Sequence, residues 1–119
     1  MEYKFESRGP TTTGVIVLSG RLDLLAADEL KSRIQHLVAD GWSQLVVDLD
    51  AVRFIDSSGL GALIGGLKIA RVARGDFRIA RPAEQVRYIL QVSTLDRVLT
   101  PYPTVEDAMD REVDNTGSS

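Results

Sequence analysis

The sequence contains no cysteine, which excludes disulfide bonds, thiolate metal sites and a cysteine nucleophile. It has one histidine, His36, so a histidine metal site or a serine–histidine pair would depend on that residue alone. We therefore expect neither a metal ion nor a cofactor. A chain without disulfides suits a reducing compartment, and the expected location is the cytoplasm.

Long apolar runs are also missing, since runs such as residues 15–18 and 45–47 contain only four and three residues. A membrane-spanning helix needs about 20 mostly apolar residues in succession. Residues 1–6 alternate between charged and aromatic side chains, which is unlike the apolar stretch of a signal peptide. The sequence therefore predicts no membrane segment.

Positive charge is not in excess, because 14 lysines and arginines stand against 17 aspartates and glutamates. A strongly basic surface is the usual mark of a nucleic-acid-binding protein, so direct binding of nucleic acid is not expected. Basic side chains are nevertheless concentrated between residues 68 and 87. They are interpreted either as solvated faces or as a patch for an acidic partner. The six are Lys68, Arg71, Arg74, Arg78, Arg81 and Arg87.

The length of 119 residues and the apolar content of 44% are those of one globular domain. We assign residues 1–111 to that domain. Residues 112–119 lack apolar periodicity and are predicted to be a disordered tail. No long exposed apolar stripe is evident, which favours a monomer.

Apolar periodicity predicts strands that alternate with helices. Strands are expected at residues 2–7, 15–18, 45–49 and 77–80 and around Pro101, and helices at 26–40 and 57–74, after Pro82, and after a capping Thr104. The order is β-β-α-β-α-β-α-β-α. Such an alternation predicts a single α/β domain with a mixed, mostly parallel sheet of four to five strands and four helices.

The most informative segment is the sequence Asp-Ser-Ser-Gly-Leu-Gly at residues 56–61, which follows a buried strand and opens a helix. In a parallel sheet, the carboxyl ends of the strands and the helix starts that follow them form the edge where ligands bind. Ser57 is interpreted as the N-cap, whose hydroxyl accepts a backbone N–H and contributes about 1 kcal/mol.

A phosphate on Ser57 would be tolerated by the fold, because free N–H groups and the helix dipole favour an anion there. It would nevertheless add about −1.5 to −2 charges next to Asp56. A partner surface matched to a neutral hydroxyl would then face an unpaired charge, which costs several kcal/mol of binding free energy. The alternative is that residues 56–59 form only a turn and a helix cap.

Glycines are unusually frequent in this helix, and each one costs up to about 1 kcal/mol relative to alanine. Gly59 and Gly61 are expected on its exposed first turn, where a partner could approach the backbone closely.

The segment 56–61, together with the earlier Gly20-Arg21-Leu22-Asp23, resembles the two signatures of bacterial anti-sigma factor antagonists, which are stand-alone STAS domains. The resemblance extends from about residue 3 to residue 110. It implies a STAS-like fold and no enzymatic activity. It also implies control of the sigma factors of sporulation or the stress response.

The resemblance further implies a cycle of partner switching. The unmodified protein binds an anti-sigma factor that is also a serine kinase, and thereby releases the sigma factor. The kinase phosphorylates Ser57, the phosphorylated protein dissociates, and a metal-dependent serine phosphatase restores it. Asp23, Asp56, Ser58, Gly59 and Gly61 are expected to form the docking surface around Ser57.

Two features qualify the resemblance. Arg21 stands where the family usually has an acidic residue, which bears on the choice of partner. Ser58 is a second hydroxyl beside Ser57, although the family pattern favours Ser57 as the acceptor.

Three other functions were considered. A receiver-like domain would use Asp48 as its phosphate acceptor, but the first strand leads to no acidic pair and no lysine follows Lys68. An enzyme is not supported, because neither a Gly-x-Ser-x-Gly elbow nor a phosphate-binding loop occurs. A STAS scaffold module of a larger stress-signalling assembly would be expected to carry an additional domain.

Overall fold

The structure, a computed structural model, describes residues 1–8 and 13–110. The predicted tail at residues 112–119 lies outside this part of the chain. Among the described residues, no helix combines the length and the apolar character needed to cross a bilayer.

Strands and helices alternate in the predicted order. The chain forms β1 (Glu2–Arg8), β2 (Thr13–Leu22), α1 (Leu24–Ala39), β3 (Gln44–Ile55), α2 (Ser57–Val72), β4 (Asp76–Ala80), α3 (Glu84–Val92), a short 3-10 turn (Leu95–Arg97), β5 (Pro101–Tyr102) and α4 (Val105–Met109). Every predicted strand and helix is present, and the sequence order of the prediction is confirmed.

The five strands form one mixed sheet in the order β1-β2-β3-β4-β5. β1 is antiparallel to β2, while the pairs β2–β3, β3–β4 and β4–β5 are parallel. The predicted architecture, a mostly parallel sheet of four to five strands with four helices, is therefore confirmed.

The central strands β2 and β3 are longer than the apolar runs predicted. β3 continues past residue 49 because Val52 and Ile55 remain buried while Asp50 and Arg53 point to solvent. β2 continues in the same way to Leu22, opposite Ile55. As a result, both strands end at the same level and lead directly into helices.

The main core lies on the face of the sheet that α1 and α2 cover. Leu45, Val47 and Leu49 alternate inward from β3 and are fully buried there. Phe77 of β4 joins the same core, and Gly66 of α2 lies so close to its ring that a Cβ would approach Phe77 Cε2 to 2.8 Å. A small residue at position 66 therefore lets α2 approach the sheet closely.

The opposite face of the sheet is covered by α4, whose Val105 and Ala108 pack on Val46 of β3. Arg78 is buried on this side and its Nη1 donates a hydrogen bond to the carbonyl oxygen of Ala108 at 3.0 Å. This hydrogen bond holds the short helix against the sheet.

The edge strand β1 is attached to α1 through Tyr3. The Tyr3 hydroxyl donates a hydrogen bond to the carbonyl oxygen of Ala26 at 2.9 Å, and Arg33 lies over the Tyr3 ring. Burial, followed by the nearby negative charge of Glu29, raises the pKa of Tyr3 to about 12. The hydroxyl therefore stays protonated, as a donor, at any physiological pH.

Candidate functional site

The candidate site lies where β2 and β3 end side by side and two helices begin. Asp23 and Asp56 follow these strands directly, and each has an extended backbone. Asp23 Oδ1 accepts a hydrogen bond from the N–H of Ala26 at 3.2 Å, and Asp56 Oδ1 accepts one from the N–H of Gly59 at 2.9 Å. Both aspartates are therefore N-caps, and they place the starts of α1 and α2 next to each other.

The prediction that Ser57 is the N-cap is wrong, because Asp56 occupies that position and Ser57 is the first residue of α2. The reason is the length of β3, which runs to Ile55 and leaves only Asp56 between strand and helix. The Ser57 side chain therefore does not cap the helix. Its hydroxyl makes no hydrogen bond with any described residue, and Ser57 is exposed to solvent.

The second hydroxyl, that of Ser58, has a different environment. Ser58 is half-buried, whereas Ser57 is exposed. Of the two hydroxyls, that of Ser57 is therefore the more accessible from solvent.

The two glycines of the segment differ sharply in environment. Gly59 is buried, so the expectation that it lies on the exposed surface is wrong. A Cβ there would overlap the carbonyl oxygen of Leu22 and would lie 2.7 Å from Ile55 Cγ1. Gly61, by contrast, is exposed and has open space where a side chain would be, as expected. Gly59 thus lets α2 approach the end of β2, and only Gly61 faces solvent.

Two exposed leucines at this edge were not predicted. Leu24 and Leu25 form the start of α1, directly after Asp23, and are 67% and 83% exposed. The helix was predicted to begin at residue 26, so neither leucine was assigned to it, and both lie outside the stripe that buries Ala27 and Leu30. The edge thus combines an apolar pair on α1 with an exposed hydroxyl on α2.

Arg21, the departure from the family pattern, is held in a defined position. Its guanidinium carbon lies 4.1 Å from the centre of the Phe54 ring on the neighbouring strand. Position 54 pairs with position 21 in the parallel register, so the stack runs directly across β2 and β3. A positive charge is therefore fixed on the strands that lead to Asp23 and Asp56.

Asp48, the acceptor that a receiver-like domain would need, lies in the middle of β3 and not at its end, contrary to expectation. It is only 5% exposed. Its carboxylate accepts two hydrogen bonds from Arg81, at 3.1 Å from Nε and 2.8 Å from Nη2. This pairing raises the pKa of Arg81 and occupies both carboxylate oxygens. Asp48 therefore serves a structural role on the face of the sheet away from the main core.

The part of the chain that is described contains no group of three or more carboxylate or imidazole side chains able to hold a metal ion. The edge itself presents an exposed hydroxyl at the start of α2, directly after the capping residue Asp56.

Comparisons with known proteins agree with the fold described above. The family model of the STAS domain matches residues 4–108, from the first strand to the last helix. The chain is 36% identical over 105 residues to the anti-sigma-F factor antagonist RsfB of Mycobacterium tuberculosis, a match that covers 81% of this chain and 80% of RsfB. It is 33% identical over 70 residues to a relative in Thermotoga maritima, covering 59% of this chain. The match spans 62% of the length of the Thermotoga relatives.

A similar fold occurs in SpoIIAA, a Bacillus anti-sigma factor antagonist solved in unphosphorylated and phosphorylated forms. The unphosphorylated form is 26% identical with a TM-score of 0.77, and the match covers 95% of this chain and 97% of SpoIIAA. For the phosphorylated form the TM-score is 0.70, with coverages of 92% and 98%.

Proposed function

Since the chain belongs to the STAS domain family, we propose that it is an anti-sigma factor antagonist whose docking is controlled by phosphorylation of Ser57. In the unmodified state it binds an anti-sigma factor that is also a serine kinase, and the sigma factor is released. Transfer of phosphate to Ser57 ends this complex, and a metal-dependent serine phosphatase restores the unmodified state. The chain acts as the substrate of these enzymes and has no catalytic activity of its own.

The observation that carries this proposal is the position of the Ser57 hydroxyl. It is exposed, it lies at the first residue of α2, and it has no hydrogen bond to any described residue. A phosphoryl group can therefore be added without breaking a contact of the fold. The backbone N–H groups of the first turn that lack an intrahelical partner favour the added negative charge.

The same charge works against the docked partner. Asp56 and Asp23 lie at the same edge and point their carboxylates at the helix starts. A partner that matches this surface already accommodates negative charge and would have to bury a further dianion beside it. An uncompensated charge at an interface costs several kcal/mol. The proposed switch therefore acts through the interface and leaves the fold unchanged.

The test is to identify the phosphorylated residue. The chain is incubated with ATP and with each anti-sigma factor of the serine kinase type from its own genome, and the products are digested and sequenced by mass spectrometry. We expect a single phosphate on Ser57 with one of these kinases. Ser57→Ala should accept none, and Ser58→Ala should be modified normally. ATP alone should give no turnover. Phosphate found only on Ser58 would contradict the assignment of Ser57.

The exposed leucines at the start of α1 are expected to supply the apolar part of the docking surface. Burying two such side chains contributes about 2 kcal/mol or more, which is more than tenfold in affinity. Leu24→Ser combined with Leu25→Ser should therefore weaken the complex with the anti-sigma factor by at least that factor, as measured by calorimetry.

The matched control replaces two exposed valines elsewhere, Val72 near the end of α2 and Val92 at the end of α3, which are 87% and 59% exposed. Val72→Ser with Val92→Ser should bind like the unchanged protein. Equal losses in the two double variants would show that general surface polarity, and not docking at the α1 start, is responsible.

A further inference from the structure

A cavity lies at the opposite end of the sheet from Ser57. β5 has only two residues, and they pair with Ile79 and Ala80. Within residues 1–8 and 13–110, the first residues of β4 therefore have no strand beside them on that side. The segment that precedes β5, residues 97–100, forms the other wall of the gap. The resulting cavity has a volume of about 230 Å³.

Three arginines line this cavity, from three different parts of the chain. Arg71 comes from the last turn of α2, Arg78 from β4 and Arg97 from the 3-10 turn. Within the described residues, Asp76 is the only acidic side chain in the lining. The cavity thus has an excess of two positive charges, which favours a divalent anion.

Arg78 supplies a rigidly held guanidinium at the wall of the cavity. It is 6% exposed, and its Nε donates a hydrogen bond to Asp76 Oδ2 at 3.0 Å. The hydrogen bond from Nη1 to the carbonyl of Ala108 fixes the opposite side of the guanidinium. Because Asp76 forms an ion pair with this guanidinium and offsets its charge, the excess of two positive charges belongs to Arg71 and Arg97.

Arg71 and Arg97, in contrast, are exposed, and neither forms an ion pair with any residue described by the structure. Guanidinium groups bind phosphate oxygens through two parallel N–H groups, which adds geometric selectivity to the charge. The exposed pair can therefore close on a ligand from the open side of the cavity.

We infer that this cavity binds the phosphate group of a small phosphorylated compound. At about 30 Å³ per water molecule, a cavity of about 230 Å³ has room for roughly eight waters, enough for a phosphate and the first atoms of a carbon skeleton. The site is independent of the switch. Ser57 and Arg71 stand at opposite ends of α2, about 21 Å apart along the helix at about 1.5 Å per residue.

The test uses inorganic phosphate and ribose 5-phosphate as probes in titrations of the ¹⁵N-labelled full chain by NMR, with sodium chloride at equal ionic strength as the blank. Saturable shifts are expected for the side-chain N–H groups of Arg71 and Arg97 and the backbone amides of residues 97–100. Tighter binding of ribose 5-phosphate than of inorganic phosphate would indicate that the ligand is a phosphorylated metabolite. Equal binding of the two probes would indicate that the ligand is free phosphate.

Arg71→Gln and Arg97→Gln should each raise the dissociation constant at least fivefold. Arg87→Gln, which removes the same charge from the exposed face of α3, should change it less than twofold. Shifts that grow linearly without saturation, or equal effects of all three variants, would overturn the site. So would saturable shifts confined to residues 57–60, because these would place the anion at the start of α2.

Discussion

Replacing Ser57 with aspartate is expected to weaken the complex with the anti-sigma factor at least about a hundredfold, since an uncompensated charge costs several kcal/mol and each 1.4 kcal/mol is about tenfold. Ser57→Ala should bind as tightly as the unmodified protein, because the hydroxyl has no hydrogen bond that the fold would lose. Calorimetric titration of the purified partner with each variant measures both.

The control for this experiment is Ser58→Asp, which adds the same charge one residue further along α2. Ser58 is half-buried, so its variant is expected to lose stability as well as affinity, whereas Ser57→Asp should unfold at the same urea concentration as the unchanged chain. A Ser57→Asp variant that bound with unchanged affinity would contradict the proposed switch. Loss of binding together with loss of structure would show that the effect comes from the fold.

Gly59→Ala is expected to lower the free energy of unfolding by about 3 kcal/mol, at the upper end of the range for overpacked sites. Its Cβ would overlap the carbonyl oxygen of Leu22 and would lie 2.9 Å from Leu22 Cγ. That oxygen already accepts a hydrogen bond from the N–H of Asp56, so it cannot move away without disturbing the cap residue.

Gly61→Ala provides the comparison, because a Cβ at position 61 meets no atom within 4 Å. The higher helix propensity of alanine should raise the free energy of unfolding by up to about 1 kcal/mol. Urea denaturation of the two variants therefore gives changes of opposite sign for the same chemical substitution two residues apart. A Gly59→Ala variant within about 0.5 kcal/mol of the unchanged protein would contradict the close packing of α2 on β2.

The order of strands and helices followed from periodicity, but their ends did not. β3 extends six residues beyond the predicted end at residue 49. Register shifts against β2 interrupt the alternation there, so Val52 and Ile55 stay buried although two residues, and not one, separate each from the preceding buried position. At its start, a long strand such as β3 shows the same continuous apolar run as a short strand that is buried on both faces. The run therefore does not reveal where the strand ends.

The N-cap was placed one residue late for a related reason. Aspartate and serine cap helices almost equally well, so the sequence Asp56-Ser57 does not reveal which of the two does so. The answer depends on where β3 ends, and that is set by the parallel pairing of Ile55 with Leu22, 33 residues away in the chain.

Two features of the structure could not be predicted from the sequence. The ion pair between Asp48 and Arg81 joins neighbouring strand regions, and the charge run around Arg81 gave no indication of its partner. The exposure of Leu24 and Leu25 was likewise not predicted, because the helix was expected to begin only at residue 26.

Both outer strands of the sheet are poor templates for the addition of a strand from another molecule. β5 has two residues and begins with Pro101, which lacks a backbone N–H. β1 carries Lys4, Glu6 and Arg8 in mutual ion pairs, and charges of this kind discourage edge-to-edge association. We therefore expect the chain to resist fibril formation even at high concentration, so that binding at the helix starts need not compete with assembly through the sheet.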